Sequence, residues 1–194
     1  MPISLQDKKA CLNIQNDDQN CFLYCVLASL HPVSRSNNPQ RVNHYTPFLR
    51  EEELDIGNIS MPMKIKDITK FETLNDISVN VFGYEEDTVI SMRVTEKKDA
   101  RHHVNVLYFN EGRKSHYVLI RNMSRLLRSQ VSGHREGLFF CNYCLHACYS
   151  QEILNRHLEK CKQYGCQRTS LPEKNDSNGK IIFELLLYVV KKFY

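Results

Sequence analysis

The sequence predicts an α+β fold in two parts, a larger α+β domain followed by a small metal-organised unit, and three observations predict it. Residues Cys21 to Leu30 (CFLYCVLASL) are apolar almost throughout, which describes a helix buried on every side. Downstream, short runs alternate in the manner of strands, beginning with Ile77-Ser-Val-Asn-Val-Phe. Five of the eight cysteines then crowd into 141–166. The chain has 194 residues, 42% hydrophobic and 25% charged, which suits a buried core under a solvated surface. That balance excludes a disordered tail, a collagen-like repeat and a membrane bundle.

Taken in order, Asn13 to Asn20 is polar and supplies capping residues for the helix at Cys21, and His31-Pro32 closes that helix. Ser34 to Gln40 is a loop by composition, and 41–67 mixes charges with Pro47 and Pro62 and receives no assignment. Ile65 to Leu74 is expected to be helical. Ile77 to Phe82, Val89 to Val94 and Val104 to Phe109 read as strands, and Tyr117 to Ile120, after the turn Asn110-Glu-Gly-Arg, completes a hairpin with the last of them. A buried helix followed by antiparallel strands gives an α+β domain. Ser124 is expected to cap a basic helix over Arg125 to Val131, ended by Gly133. The longest strongly apolar run, Ile181 to Val190, has ten residues including Glu184, about half a bilayer span, so no membrane association is expected.

Met1 to Ala10 lacks an apolar core behind a basic start, so no secretory signal is expected and the chain is read as intracellular, in nucleus or cytoplasm. In that reducing setting the cysteines are read as metal ligands, a nucleophile or small buried hydrophobes. The net charge of +4 is unevenly distributed. Residues 1–111 carry 12 basic and 16 acidic side chains, whereas 112–168 carry 10 and 3, so any non-specific nucleic-acid contact is expected within 112–168.

Residues 139–161 read FFCNYCLHACYSQEILNRHLEKC, with the pattern Cys141-x2-Cys144-x12-His157-x3-Cys161. This is the spacing of a ββα zinc finger whose last His is replaced by Cys. Two Cys three apart in a tight knuckle bring both sulfurs to one ion, and His157 and Cys161, four apart, share one helix face. Three thiolates and one imidazole favour zinc over harder cations. Phe139, two before the first ligand, and Leu154, three before the His, are expected to fill the finger core, with Ser150 capping its helix. The position four after the second Cys, usually aromatic, is Cys148. Cys148, Cys166 and His146 are alternative ligands, with His146 fitting the spacing less well. The positions that contact bases in DNA-reading fingers fall at Ser150, Ile153 and Arg156. Ile153 has no hydrogen-bonding group, so a structural or protein-contact role is expected rather than sequence readout.

A second constellation lies in the first domain. Cys21 opens the buried helix, where the positive end of the helix dipole is expected to lower its pKa, and His116 opens the strand SHYVLI. A Cys at a helix start and a His on a later strand are the parts of a papain-like thiol site, with imidazole as base. Packing is the alternative role, because Cys25 lies one turn along on the same face. Gln15, six before Cys21, resembles the oxyanion Gln of papain-like peptidases. Asp18-Gln19-Asn20-Cys21-Phe22 resembles the Asp-Gly-Asn-Cys-Leu/Phe motif of ovarian-tumour-type deubiquitinases, with Gln19 in place of Gly. These likenesses imply a cysteine peptidase acting on a ubiquitin-like substrate, with Cys21 as nucleophile, His116 as base, Asn122 or Asp18 in support and Gln15 polarising the carbonyl.

The order NIQNDDQNCFLYCVLASLHP, KFETLNDISVNVFGYE, HYVLIRNMSRLL and CNYCLHACYSQEILNRHLEKC is similar to the N-terminal region of proteins of Maverick/Polinton-type DNA transposons. In many of these it precedes a protein-primed family B DNA polymerase. The likeness covers about residues 9–172 and implies a transposon-derived, zinc-binding protein. Polymerase-bearing relatives continue past the Leu-Pro segment into an exonuclease domain, whereas this sequence ends at Tyr194, so no polymerase activity is expected from it. The expected organisation is a papain-like α+β domain over 1–122, a basic linker helix over 123–136, a ββα zinc finger over 137–166 and a tail over 167–194.

Overall fold

A computed structural model describes residues 1–111, 114–132 and 137–164. Gly133, Cys166 and the tail over 167–194, with its apolar run, lie outside the described residues. The architecture is α+β around a five-stranded sheet. Its strands are β1 (Cys11–Leu12), β2 (Ile77–Glu85), β3 (Thr88–Arg93), β4 (His102–Glu111) and β5 (Lys114–Ile120), in the spatial order β1-β5-β4-β2-β3.

An antiparallel sheet was the expectation, and the sheet is mixed. β4 pairs antiparallel with β5 but parallel with β2, with Val79 beside Val104 and Val81 beside Val106. The cause is the segment between β3 and β4, which returns the chain across the sheet end so that β4 re-enters in the direction of β2. Side chains hold this crossover. The Thr95 amide donates to Asn80 Oδ1 (2.8 Å), its hydroxyl donates to Glu72 Oε1 (2.8 Å), and Lys97 donates to the carbonyl of Glu72 (2.6 Å).

Both sheet faces are covered, which is why β2 is buried continuously from Ile77 to Gly83. Successive residues of a strand point to opposite faces, and the two cores divide accordingly. Val79, Val81, Val104, Val106, Tyr117 and Leu119 face α2 (Cys21–Leu30). Phe82, Leu107, Val118 and Ile120 face Leu5 of α1 (Ile3–Asp7) and Leu126 and Leu127 of α5 (Met123–Val131). The ten residues of α2, apolar but for Ser29, form a helix, as expected, because neighbours surround it. One side meets the sheet, and the other meets Tyr45, Leu54, Ile59 and Met63 from the stretch that composition left unassigned. That stretch contains the short helix α3 (Thr46–Arg50) between loops and 3-10 turns. The helix expected at Ile65 to Leu74 starts as a 3-10 turn and becomes α4 (Ile68–Leu74).

Asp18 organises the entrance to α2. Its carboxylate accepts from Asn16 Nδ2 (2.8 Å), Asn20 Nδ2 (2.9 Å) and the Tyr24 hydroxyl (2.9 Å). Burial opposes ionisation there, but these hydrogen bonds prevail and hold the carboxyl below its ordinary value. At α5 the cap is Asn122, whose side chain accepts from the Arg125 amide (2.8 Å). Ser124, the expected cap, accepts from the Leu138 amide (2.9 Å) and so ties α5 to the segment that follows.

Candidate metal centre and thiol cavity

The C-terminal unit is built from β6 (Phe139–Phe140), β7 (Ala147–Cys148) and α6 (Gln151–Tyr164). The knuckle between the strands turns tightly. The Leu145 amide donates to the Cys141 carbonyl (2.8 Å), and Leu145 takes the left-handed conformation (φ 62°) that the turn requires. Ser150 caps α6 as expected, its hydroxyl accepting from the Ile153 amide (3.2 Å).

Together these elements bring one ligand atom each from Cys141, Cys144, His157 and Cys161 within 4.8 Å of one another. Cys141 Sγ and Cys161 Sγ lie 3.7 Å apart, and Cys144 Sγ and His157 Nε2 lie 3.1 Å apart. A tetrahedral zinc ion with ordinary zinc–sulfur bonds needs sulfur–sulfur edges of about 3.8 Å, so the four groups fit one. The Tyr143 amide donates to Cys141 Sγ (3.4 Å), a contact that stabilises negative sulfur. The Cys144 thiol also donates to Cys141, whose pKa falls to about 4, and the same bond pushes the Cys144 thiol up. The cluster therefore releases a first proton readily and a second with difficulty, and a cation favours release of the rest.

Cys148 resolves the irregularity at the usual aromatic position. It is buried and packs with Tyr143 and Leu154 in the finger core. Phe139 was expected inside and is 38% exposed, because Phe140 is the strand residue that turns toward the main sheet. His146 stacks on His157 at 5.1 Å between ring centroids and is outside the ligand cluster.

The finger is latched to the domain through polar contacts that no spacing rule indicates. Asn80, fully buried on β2, donates to the Asn142 carbonyl in the knuckle (2.8 Å). The Tyr143 hydroxyl donates to the Lys98 carbonyl (2.7 Å), and Lys98 Nζ donates to the Cys161 carbonyl near the end of α6 (3.0 Å). Leu145 and Phe140 add apolar contacts to the core beneath α5.

The second site is a cavity of about 580 Å³ whose lining includes Cys21, His116, Asp17, Asp18, Asn16 and Phe109. It lies along the free edge of β5. β1 pairs only with Leu119 and Ile120, so among the described residues the strand edge at Tyr117 has no neighbouring strand. Two thiols from α2 serve that edge instead. Cys21 Sγ accepts from the Tyr117 amide (3.4 Å), and Cys25, one turn on, donates to the Tyr117 carbonyl (3.4 Å). His116 Nε2 lies 2.6 Å from Asn13 Oδ1. Cys21 and His116 thus share one cavity while each is bonded to a different group.

The helix terminus was expected to lower the Cys21 pKa, and the thiol is instead pushed up. Burial outweighs the amides of Tyr117 and Phe22, which favour the thiolate. Burial, and secondarily the ammonium of Met1, hold His116 below its ordinary value. The resting site is a neutral thiol and a neutral imidazole. Of the other residues singled out in the sequence, Asp18 lines the cavity and Asn122 caps α5. Gln15 is exposed, and its amide donates to the Gln40 carbonyl (2.8 Å). Asn13 was missed, since nothing in the spacing relates residues 13 and 116. Its signal is positional, a polar residue directly after a two-residue strand.

No helix among the described residues is long and apolar enough to cross a membrane. Compared with protein families, with curated proteins and with solved structures, the chain matches none.

Proposed function

We propose that this is a zinc-binding, transposon-derived protein whose single finger serves structural and macromolecular contact. The observation that carries the zinc assignment is the convergence of Cys141, Cys144, His157 and Cys161 within 4.8 Å. The latches from Asn80, Tyr143 and Lys98 support the structural role, because zinc that orders the knuckle also orders what is bonded to it. Tyr149 and Ile153 are 60% and 46% exposed, which suits contact with a protein surface better than base readout. Lys8, Lys9, Arg125 and Arg128 surround one recess and support non-specific phosphate contact. The transposon origin is supported by the order of sequence segments. Atomic absorption on the purified protein is expected to find one zinc per chain, and none in a Cys141→Ser, Cys144→Ser variant. Unchanged zinc in that variant refutes the assignment.

A second reading, a papain-like cysteine peptidase, is favoured by the cavity that Cys21 and His116 share. In it His116 takes the Cys21 proton as sulfur attacks an amide carbonyl, then passes that proton to the leaving amine. Water hydrolyses the thioester, releasing the acid and restoring the thiol. Asp17 and Asp18 on the rim favour a substrate carrying basic residues. Asn16 Oδ1, buried without a hydrogen-bond partner among the described residues, offers an acceptor for a peptide N–H. Ubiquitin vinyl sulfone is expected to label Cys21. Labelling of Cys25 to the same extent, or of neither, removes this reading.

A further inference from the structure

We propose that Gln130 guards the open edge of the sheet, holding in cis the backbone groups with which β3 of a second copy of this chain would pair. A sheet has two edges, and each presents unpaired amides and carbonyls to another chain. The β1 edge is only two residues long. The β3 edge is six residues long and has no further strand beside it among the described residues. Its register comes from the hairpin with β2. Glu86 and Asp87, both left-handed (φ 47° and 61°), form a two-residue turn between the partners Glu85 and Thr88. In such a hairpin the flanking pair exchanges both backbone bonds, and that exchange recurs at every second pair of the ladder. Thr88 and Ile90 therefore bond inward to β2, while Val89 and Ser91 present their amides and carbonyls outward.

Gln130, near the end of α5, engages the first of these residues. Its side-chain Oε1 accepts from the Val89 amide (2.9 Å), and its Nε2 donates to the Val89 carbonyl (3.1 Å). One side-chain amide thus makes both bonds that a residue of a neighbouring strand makes. Two copies of β3 running antiparallel about a two-fold axis at Ile90 set Val89 of each against Ser91 of the other, which gives four backbone bonds. Every one of the four uses Val89 of one copy or the other, so Gln130 closes the whole set. A register moved further along the strand meets the bulge at Val81 and Phe82, which face Arg93 and Ser91 with Met92 left over, and there the edge bends. Met92, 46% exposed and two residues from the axis, gives each copy an apolar side chain to cover. Neither Val89, Ser91 nor Gln130 belongs to the metal cluster or lines the thiol cavity.

The test is sedimentation velocity of the full chain over a concentration series. Gln130→Ala and Gln130→Met, neither able to bond Val89, are expected to strengthen self-association about tenfold or more relative to the wild type, as four backbone bonds become available. Two further substitutions, each placed in the Gln130→Met chain, are expected to reverse the gain. Ser91→Pro removes an outward amide that the ladder with β2 does not use, and edge strands tolerate proline at such a position. Ile90→Lys sets two like charges opposite each other across the axis.

Equal sedimentation of the wild type and both Gln130 variants, each with native circular dichroism, overturns the proposal. So does association that Ser91→Pro and Ile90→Lys both leave unchanged, because it then runs through another surface. Amide hydrogen exchange on the wild type reads the same contact without any variant. The Val89 amide is expected to exchange about tenfold or more slowly than the Ser91 amide, being bonded to Gln130 where the other meets water. Equal rates at the two positions refute the guard, whether Gln130 has released the edge or a second strand covers it.

Discussion

Asn122 shows what a single residue type leaves open in a sequence. An asparagine two residues after a strand that carries a candidate catalytic His can orient that His or cap the next helix. Its oxygen accepts from the Arg125 amide, so replacing it leaves that amide at the start of α5 without its partner. Asn122→Ala is expected to cost about 1 kcal/mol in urea unfolding while leaving zinc content unchanged. A variant that loses zinc or is as stable as the wild type contradicts the capping role. The four residues of the candidate metal site were legible because their chemistry is tied to local spacing. Cys141 and Cys144 meet across one turn and His157 and Cys161 across one helical step, so no distant contact is needed to place either pair. Asn13 and His116 are brought together by a strand pairing between remote segments, and spacing carries no trace of that.

Between elements, the buried Glu72 does the most joining. From α4 it accepts the Val79 amide of β2 (2.7 Å), both terminal nitrogens of Arg93 on β3, including Nη2 at 2.6 Å, and the Thr95 hydroxyl of the crossover (2.8 Å). Both partners of the ion pair are largely removed from water, with side chains 13% exposed for Arg93 and 5% for Glu72. Glu72→Ala leaves the guanidinium without its counter-charge and the Val79 amide without its acceptor, and is expected to destabilise the fold by about 3–5 kcal/mol. Chemical denaturation measures this, and a loss under about 1 kcal/mol would mean that water replaces the carboxylate. Sequence periodicity found the strands on either side of this network, since alternation is a property of each strand by itself. The parallel pairing of β2 with β4 was not legible. It depends on where the crossover enters, and that is set by side chains such as Asn80 and Thr95 acting across the fold.

For the whole molecule, buried thiols set an alkaline limit. Cys11 is pushed up to about 12, and burial also raises Cys21 and Cys25 above the ordinary value of 9.0. A group whose pKa is higher in the folded than in the unfolded chain contributes stability that is complete below the unfolded value and lost as pH rises toward the folded one. The unfolding temperature of the zinc-loaded protein is therefore expected to fall steadily above pH 9, with a shallower slope in Cys11→Ala. A midpoint that stays level to about pH 10.5 contradicts this. The sequence by itself determined the α+β class, the buried helix at Cys21 and the four residues of the candidate metal site, because burial pattern and ligand spacing are written in residues close along the chain. Only the tertiary structure decided the mixed sheet, the latch of the finger onto β2, the cavity lined by His116 and Cys21, and the bond of Asn13 to His116. Each of these depends on contacts between segments some twenty to a hundred residues apart, whose positions are set by packing and by the satisfaction of buried polar groups rather than by any local pattern.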